Sequence, residues 1–144
     1  MKTLDQWMEQ YAASHQNRTN QVIHKICVPL IFFSVLGMLW DWQLSGIRLA
    51  YVFAILGMIF YVRLGVKSTL VMVFQLAVSF AILSFWSAQT GSVFIPNLII
   101  FVLAWIGQFI GHKIEGKKPS FFVDLQFLFV GPLWVFSFLF KSKS

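Results

Sequence analysis

The sequence predicts an all-α, polytopic membrane helix bundle, and three observations carry that expectation. Of 144 residues, 58% are hydrophobic and only 11% charged, against roughly a quarter charged in an ordinary soluble domain. The apolar residues gather into runs long enough to cross hydrocarbon, and the cations sit at alternate ends of those runs. A soluble domain of this length hides about two thirds of its chain surface. That core is too small for the apolar content, so lipid has to cover the remainder. A single membrane domain over 1–144 follows, with no internal repeat or low-complexity linker.

Leu4, Trp7, Met8, Tyr11 and His15 recur at spacings of three and four, while Asp5, Glu9 and Gln16 fall elsewhere. This pattern predicts an amphipathic helix over about 2–16, lying in the membrane interface. The opening residues carry no apolar region behind a basic start, so no secretory signal peptide is expected and the first span serves as the insertion signal. Gln16-Asn17-Arg18-Thr19-Asn20 then breaks the apolar pattern. Its Asn and Thr residues suit a turn and a fresh helix N-cap, with a bend near Asn17.

Apolar runs over about 22–40, 47–62, 70–86 and 96–112 each approach the roughly 17 to 25 residues that span a bilayer. They predict four transmembrane helices. Trp40, Trp42, Tyr61 and Trp86 stand near their ends, where interfacial aromatics collect. A fifth run, 121–140, is long enough to span, but Asp124, Gln126 and the Gly131-Pro132 pair interrupt it. A re-entrant hairpin and a spanning helix both remain open for it.

Charge sets the expected orientation. Lys2, Arg18 and Lys25 precede or open the first span, Arg63 and Lys67 separate the second from the third, and Lys113, Lys117 and Lys118 follow the fourth. The opposite loops offer only Arg48. By the positive-inside rule the N-terminus, second loop and fourth loop face the cytoplasm. Lys141 and Lys143 join them if the fifth run folds back. The net charge of +6 is thus explained by topology. It forms no basic stripe interleaved with stacking aromatics, so nucleic acid is not an expected partner. Cys27 is the only cysteine, which excludes a disulfide framework and a cysteine-rich zinc site.

The three histidines of the chain are the informative residues. His24 begins the first span on the cytoplasmic side, and His112 ends the fourth after an even number of crossings. His15 lies on the interfacial helix at that same face. A straight helix would hold His15 and His24 about 13 Å apart, so the turn at 17–20 is needed to bring them together. Asn20 is four residues before His24, Gln108 four before His112, and Glu115 three after it, each pair on one helical face. Three neutral imidazoles and a carboxylate suit a divalent metal such as iron with positions left open. The plain alternative is that these groups hydrogen-bond headgroups, water or nearby backbone, since no HExxH-type signature is present.

Ser14-His15-Gln16-Asn17, Asn20, His24 and Val28-Pro29-Leu30 resemble the first motif of the yeast 2-hydroxy fatty acid dioxygenase family. This membrane family was formerly known as a domain of unknown function. Ala104-Trp105-Ile106-Gly107-Gln108-Phe109-Ile110-Gly111-His112, followed by Glu115-Gly116-Lys117-Lys118-Pro119, resembles its second motif almost end to end. Ser120 stands where that pattern has alanine, and the last segment lacks an acidic residue near its end.

The resemblance implies an Fe(II)-dependent enzyme that uses O2 to remove the carboxyl carbon of a 2-hydroxy fatty acid, a step of α-oxidation. It implies His15, His24 and His112 as iron ligands. Beside them Glu115 is expected as a fourth ligand or as an acceptor fixing a histidine tautomer, and Asn20 and Gln108 as orienting groups. The acyl chain and membrane lipid would share the apolar helices. A bacterial inner membrane, with the histidines on its cytoplasmic side, is the expected location. A non-enzymatic membrane scaffold or lipid-binding protein is the alternative, and no oligomeric state is assigned.

Overall fold

The computed structural model describes residues 2–13, 15–116 and 130–134. Its first helix, α1 (Leu4–Ala13), opens on a reciprocal capping box. Gln6 N–H donates to Thr3 Oγ1 at 3.2 Å and Thr3 N–H to Gln6 Oε1 at 2.9 Å, so two otherwise unused donors are satisfied. Tyr11 is the residue that α1 buries, with Trp7 and Met8 packed beside it.

The chain then turns and starts α2 (Arg18–Trp40). Asn17 is the N-cap: its side-chain oxygen accepts from Thr19 N–H at 2.9 Å and Asn20 N–H at 3.3 Å. At the far end the chain reverses through a two-residue hairpin, β1 (Gln43–Leu44) against β2 (Ile47–Arg48), antiparallel with Leu44 opposite Ile47. Ser45 and Gly46 carry it with φ of 52° and 81°, the double positive φ that tight hairpins of this twist require. Arg48 locks the reversal, donating to Trp40 O at 2.7 Å with its guanidinium 4.3 Å from the Trp40 ring centre.

Three helices follow: α3 (Leu49–Arg63), α4 (Val66–Thr90) and α5 (Phe94–Glu115). The architecture is therefore nearly all helical, as the composition predicts. The run expected as a span from 47 begins instead in the hairpin, because Ile47 and Arg48 pair with β1, and the helix starts at Leu49. Among the described residues, α2, α4 and α5 are long and apolar enough to cross a membrane. With 15 residues, α3 is shorter, about 22 Å at 1.5 Å per residue against a hydrocarbon thickness of about 30 Å.

Large apolar side chains point outward along α3, α4 and α5, among them Ile55, Leu56, Phe74, Phe85 and Leu103. Water would not tolerate such continuous exposure, whereas lipid solvates it. Inside, Phe32, Leu36 and Trp40 of α2 meet Ala50, Ala54 and Tyr61 of α3 and Met72, Leu76 and Leu83 of α4.

The closest helix pairing is α2 with α5, which run antiparallel along a seam of small residues. A Cβ on Gly37 would collide with Asn97, one on Gly107 would stand 2.6 Å from Cys27 Sγ, and one on Gly111 would collide with Asn20 Oδ1. Glycines let two backbones approach where lipid supplies no hydrophobic drive between helices. Dispersion contacts then hold the pair.

Of the fifth apolar run, residues 130–134 are helical, and Val130, Leu133 and Trp134 are buried. Gln75 of α4 donates to Pro132 O at 3.1 Å, and Gly131 packs on Val28. The choice between a spanning and a re-entrant 121–140 falls mostly outside the described residues, as do Lys117, Lys118, Asp124, Gln126, Lys141 and Lys143.

Candidate functional site

The three histidines meet where the start of α2, the end of α5 and the α1–α2 turn come together. His15 and His24 ring centres are 4.3 Å apart, His24 and His112 5.3 Å, and His15 and His112 6.4 Å. All three side chains are buried, at 1%, 2% and 7% exposure respectively. Each arrives by a different local device. The turn after α1 delivers His15, whose N–H bonds Ala12 O at 3.1 Å and whose carbonyl accepts from Gln21 Nε2 at 2.6 Å. The Asn17 cap starts a new helix axis and places His24 nearly two turns on, while His112 rides the last turn of α5.

Backbone carbonyls set the protonation of two rings. His15 Nδ1 lies 2.6 Å from Tyr11 O, and His24 Nδ1 lies 3.0 Å from Asn20 O. A carbonyl only accepts, so each Nδ1 carries the proton and donates. In the neutral ring Nε2 then keeps its lone pair, the form in which imidazole binds a metal while its other nitrogen is held from outside. The Tyr11 ring stacks on His15 at 4.0 Å with 6° between planes, which restricts rotation of that imidazole.

Chemically the donor set fits a divalent metal of the iron type, with three imidazoles, two of fixed tautomer, and no thiolate. Rings bound cis to one ion through nitrogens at about 2.1 Å have centres about 4.5 to 5 Å apart, close to the two shorter spacings. Among the described residues no three His, Cys, Asp or Glu groups already stand at metal-holding distances. His15 and His112, the widest pair, have to draw together for all three to share an ion.

Glu115 has a specific place. Its carboxylate accepts from Gln16 N–H at 2.6 Å and from Asn17 N–H at 2.8 Å, tying the end of α5 to the turn that presents His15. The tautomers of His15 and His24 are held by carbonyls rather than by this carboxylate. Asn20 is fully buried beside His24, and Gln108 is buried on α5 one turn before His112. The structure thus gathers His15, His24, His112, Asn20 and Glu115 at one end of the α2–α5 seam, with Gln108 just below.

Sequence reasoning missed several neighbours. Tyr11 was legible as the i−4 partner of His15 on a helical face, but its stacking was not. Trp134 had no local signal, yet its ring lies 4.8 Å from Tyr11 and 5.8 Å from His15. It closes one side of the cluster, with the Lys25 ammonium 5.4 Å from the Trp134 ring centre.

A family model described as "Mpo1-like: 2-hydroxy-palmitic acid dioxygenase Mpo1-like" matches residues 1–143. The 2-hydroxy-palmitic acid dioxygenase MPO1 of Saccharomyces cerevisiae (strain ATCC 204508 / S288c) is 33% identical over 136 residues, covering 91% of this chain and 76% of that protein. No solved structure matches.

Proposed function

The chain belongs to the Mpo1-like family, and from that premise we propose that it is a membrane dioxygenase. Its substrates are 2-hydroxy fatty acids, and His15, His24 and His112 hold Fe(II). The observation that carries the reading is the meeting of three buried imidazoles, two with Nδ1 committed to backbone carbonyls. Bound iron would supply a Lewis-acid centre that a hydroxyl and a carboxylate oxygen can chelate together, with a position left for dioxygen.

The protein's own groups do the rest. Tyr11 O and Asn20 O hold the Nδ1 protons of His15 and His24 and so fix which nitrogen faces the cluster, and Tyr11 and Trp134 shield the cluster from water. Glu115 holds the Gln16–Asn17 turn and through it the position of His15. Arg18, Lys25 and Lys113 supply positive charge at the mouth for the substrate carboxylate. The acyl chain lies among the apolar helices, where each buried CH2 contributes about 0.8 kcal/mol. In the reaction the bond between the carboxyl carbon and C2 breaks, and C2 is oxidised to a new carboxyl. The carboxyl carbon leaves as carbon dioxide, and dioxygen alone balances the electrons, with water as its reduced product.

The topology suits this chemistry. Because the start of α2 and the end of α5 meet, the chain between them crosses an even number of times, so α3 crosses despite its length. Positive charge at Lys2, Arg18, Lys25, Arg63, Lys67 and Lys113 supports a cytoplasmic position for the cluster.

The purified, iron-loaded chain in lipid nanodiscs is expected to consume 2-hydroxyhexadecanoate only with O2 and to yield the acid one carbon shorter, leaving hexadecanoate untouched. Equal turnover of both acids, or turnover without oxygen, contradicts the proposal.

A further inference from the structure

Asn20 spends its backbone on the architecture and has its side-chain oxygen left over. Its N–H donates to the Asn17 cap at 3.3 Å and its carbonyl accepts from His24 Nδ1 at 3.0 Å. The side-chain amide is fully buried, and its Oδ1 has no hydrogen-bond partner. Leaving such groups unsatisfied costs about 1–3 kcal/mol each, and folded proteins keep few of them without a reason.

Its surroundings say what kind of partner that oxygen awaits. A Cβ on Gly111 would collide with Asn20 Oδ1 and stand 3.0 Å from His24 Cε1. Oδ1 and the edge of the His24 ring therefore share one face of the residue that precedes His112. Only a glycine there leaves them room. The Glu115 carboxylate accepts a hydrogen bond from the same amide, and a carboxylate only accepts, so the donor is Nδ2. A carboxylate attracts the Nδ2 hydrogens and repels Oδ1, which leaves Oδ1 as an acceptor beside the histidines.

We infer that Asn20 Oδ1 accepts a hydrogen bond from the 2-hydroxyl of the substrate and makes the site selective for 2-hydroxylated over unsubstituted fatty acids. This rests on the site reading given under Proposed function. The carboxylate of a fatty acid is an acceptor at neutral pH and cannot satisfy Oδ1. The hydroxyl on the neighbouring carbon is a donor and can. An unsubstituted acid leaves Oδ1 buried and unsatisfied, and sites built around a substrate hydroxyl reject analogues that lack it far more strongly than apolar pockets reject a methylene.

The test is equilibrium binding of 2-hydroxyhexadecanoate and hexadecanoate to the metal-loaded full chain in nanodiscs without oxygen, for wild type, Asn20→Ala and Asn20→Ser. Neither substitution touches the backbone groups that cap α2 and hold His24. Asn20→Ala is expected to lower the preference for the hydroxy acid about tenfold or more. It should do so by weakening that ligand alone, with metal content unchanged. Asn20→Ser, which keeps an oxygen acceptor, recovers part of the preference and gives the same reading if the alanine variant does not fold. A variant that binds both acids more weakly by the same factor, or that loses thermal stability while keeping the wild-type preference, overturns the inference. Wild type without any preference overturns the underlying site reading as well, and is told apart by appearing before any substitution is made.

Discussion

His24→Ala is expected to abolish oxygen-dependent loss of 2-hydroxy fatty acid, and His112→Ala to do the same. Removing a group that merely supports a metal ligand typically costs 10- to 100-fold, so loss of a ligand itself should exceed about 100-fold. The two residues lie on different helices, at the start of α2 and the end of α5, with ring centres 5.3 Å apart. What they share is the space between them. A purely structural pair would lower thermal stability on substitution while leaving turnover per folded molecule within a few fold. Steady-state turnover per folded molecule after incubation with ferrous ion, measured alongside the thermal midpoint, separates the outcomes. Retention of more than a tenth of wild-type turnover by either variant counts against ligation.

Gly111→Ala should have the second-largest effect for its size. One added methyl would meet Asn20 Oδ1 and stand 3.0 Å from His24 Cε1 and 3.2 Å from His24 Nδ1. Neither neighbour can yield easily, since the Asn20 side chain is fully buried and His24 is tied to the Asn20 carbonyl. The helices must separate instead. Overpacking of this kind costs about 1–3 kcal/mol, and a displacement of about 1 Å at a reacting centre can cost 10²-fold in rate. Gly107→Ala, one turn away, makes a fitting comparison. Its methyl would meet the end of the Cys27 side chain, 2.6 Å away, and a thiol can rotate. Its effect on rate should be several-fold smaller, and Cys27→Ala should relieve it. Equal rate losses in the two glycine variants would mean that the seam acts as a whole and that closeness to the histidines is not the cause.

Much of this architecture was legible because bilayer chemistry is severe. Apolar runs, interfacial aromatics and alternating charge leave few arrangements open, and the break at 16–20 announced the turn that Asn17 now caps. The placement of His24 and His112 at one depth followed from counting crossings. The details that escaped depend on partners distant in sequence. Nothing around Glu115 says that its carboxylate will take the backbone N–H groups of Gln16 and Asn17, about a hundred residues earlier. Gly111 reads locally as a helix-ending glycine, and only the opposing α2 shows that it is a contact. Ile47 is apolar enough to extend the second run, yet Ser45-Gly46 draws it into a hairpin. Trp134 sits in a run whose interruptions mark it as unusual without saying where it goes.

The measurement closest to the central claim is metal analysis of the purified wild-type chain after anaerobic reconstitution with ferrous ion and removal of excess. About one iron per chain is predicted, held by wild type and lost on His24→Ala. A wild-type chain that retains no iron and still removes the carboxyl carbon of a 2-hydroxy fatty acid at an undiminished rate would contradict a metal centre at His15, His24 and His112.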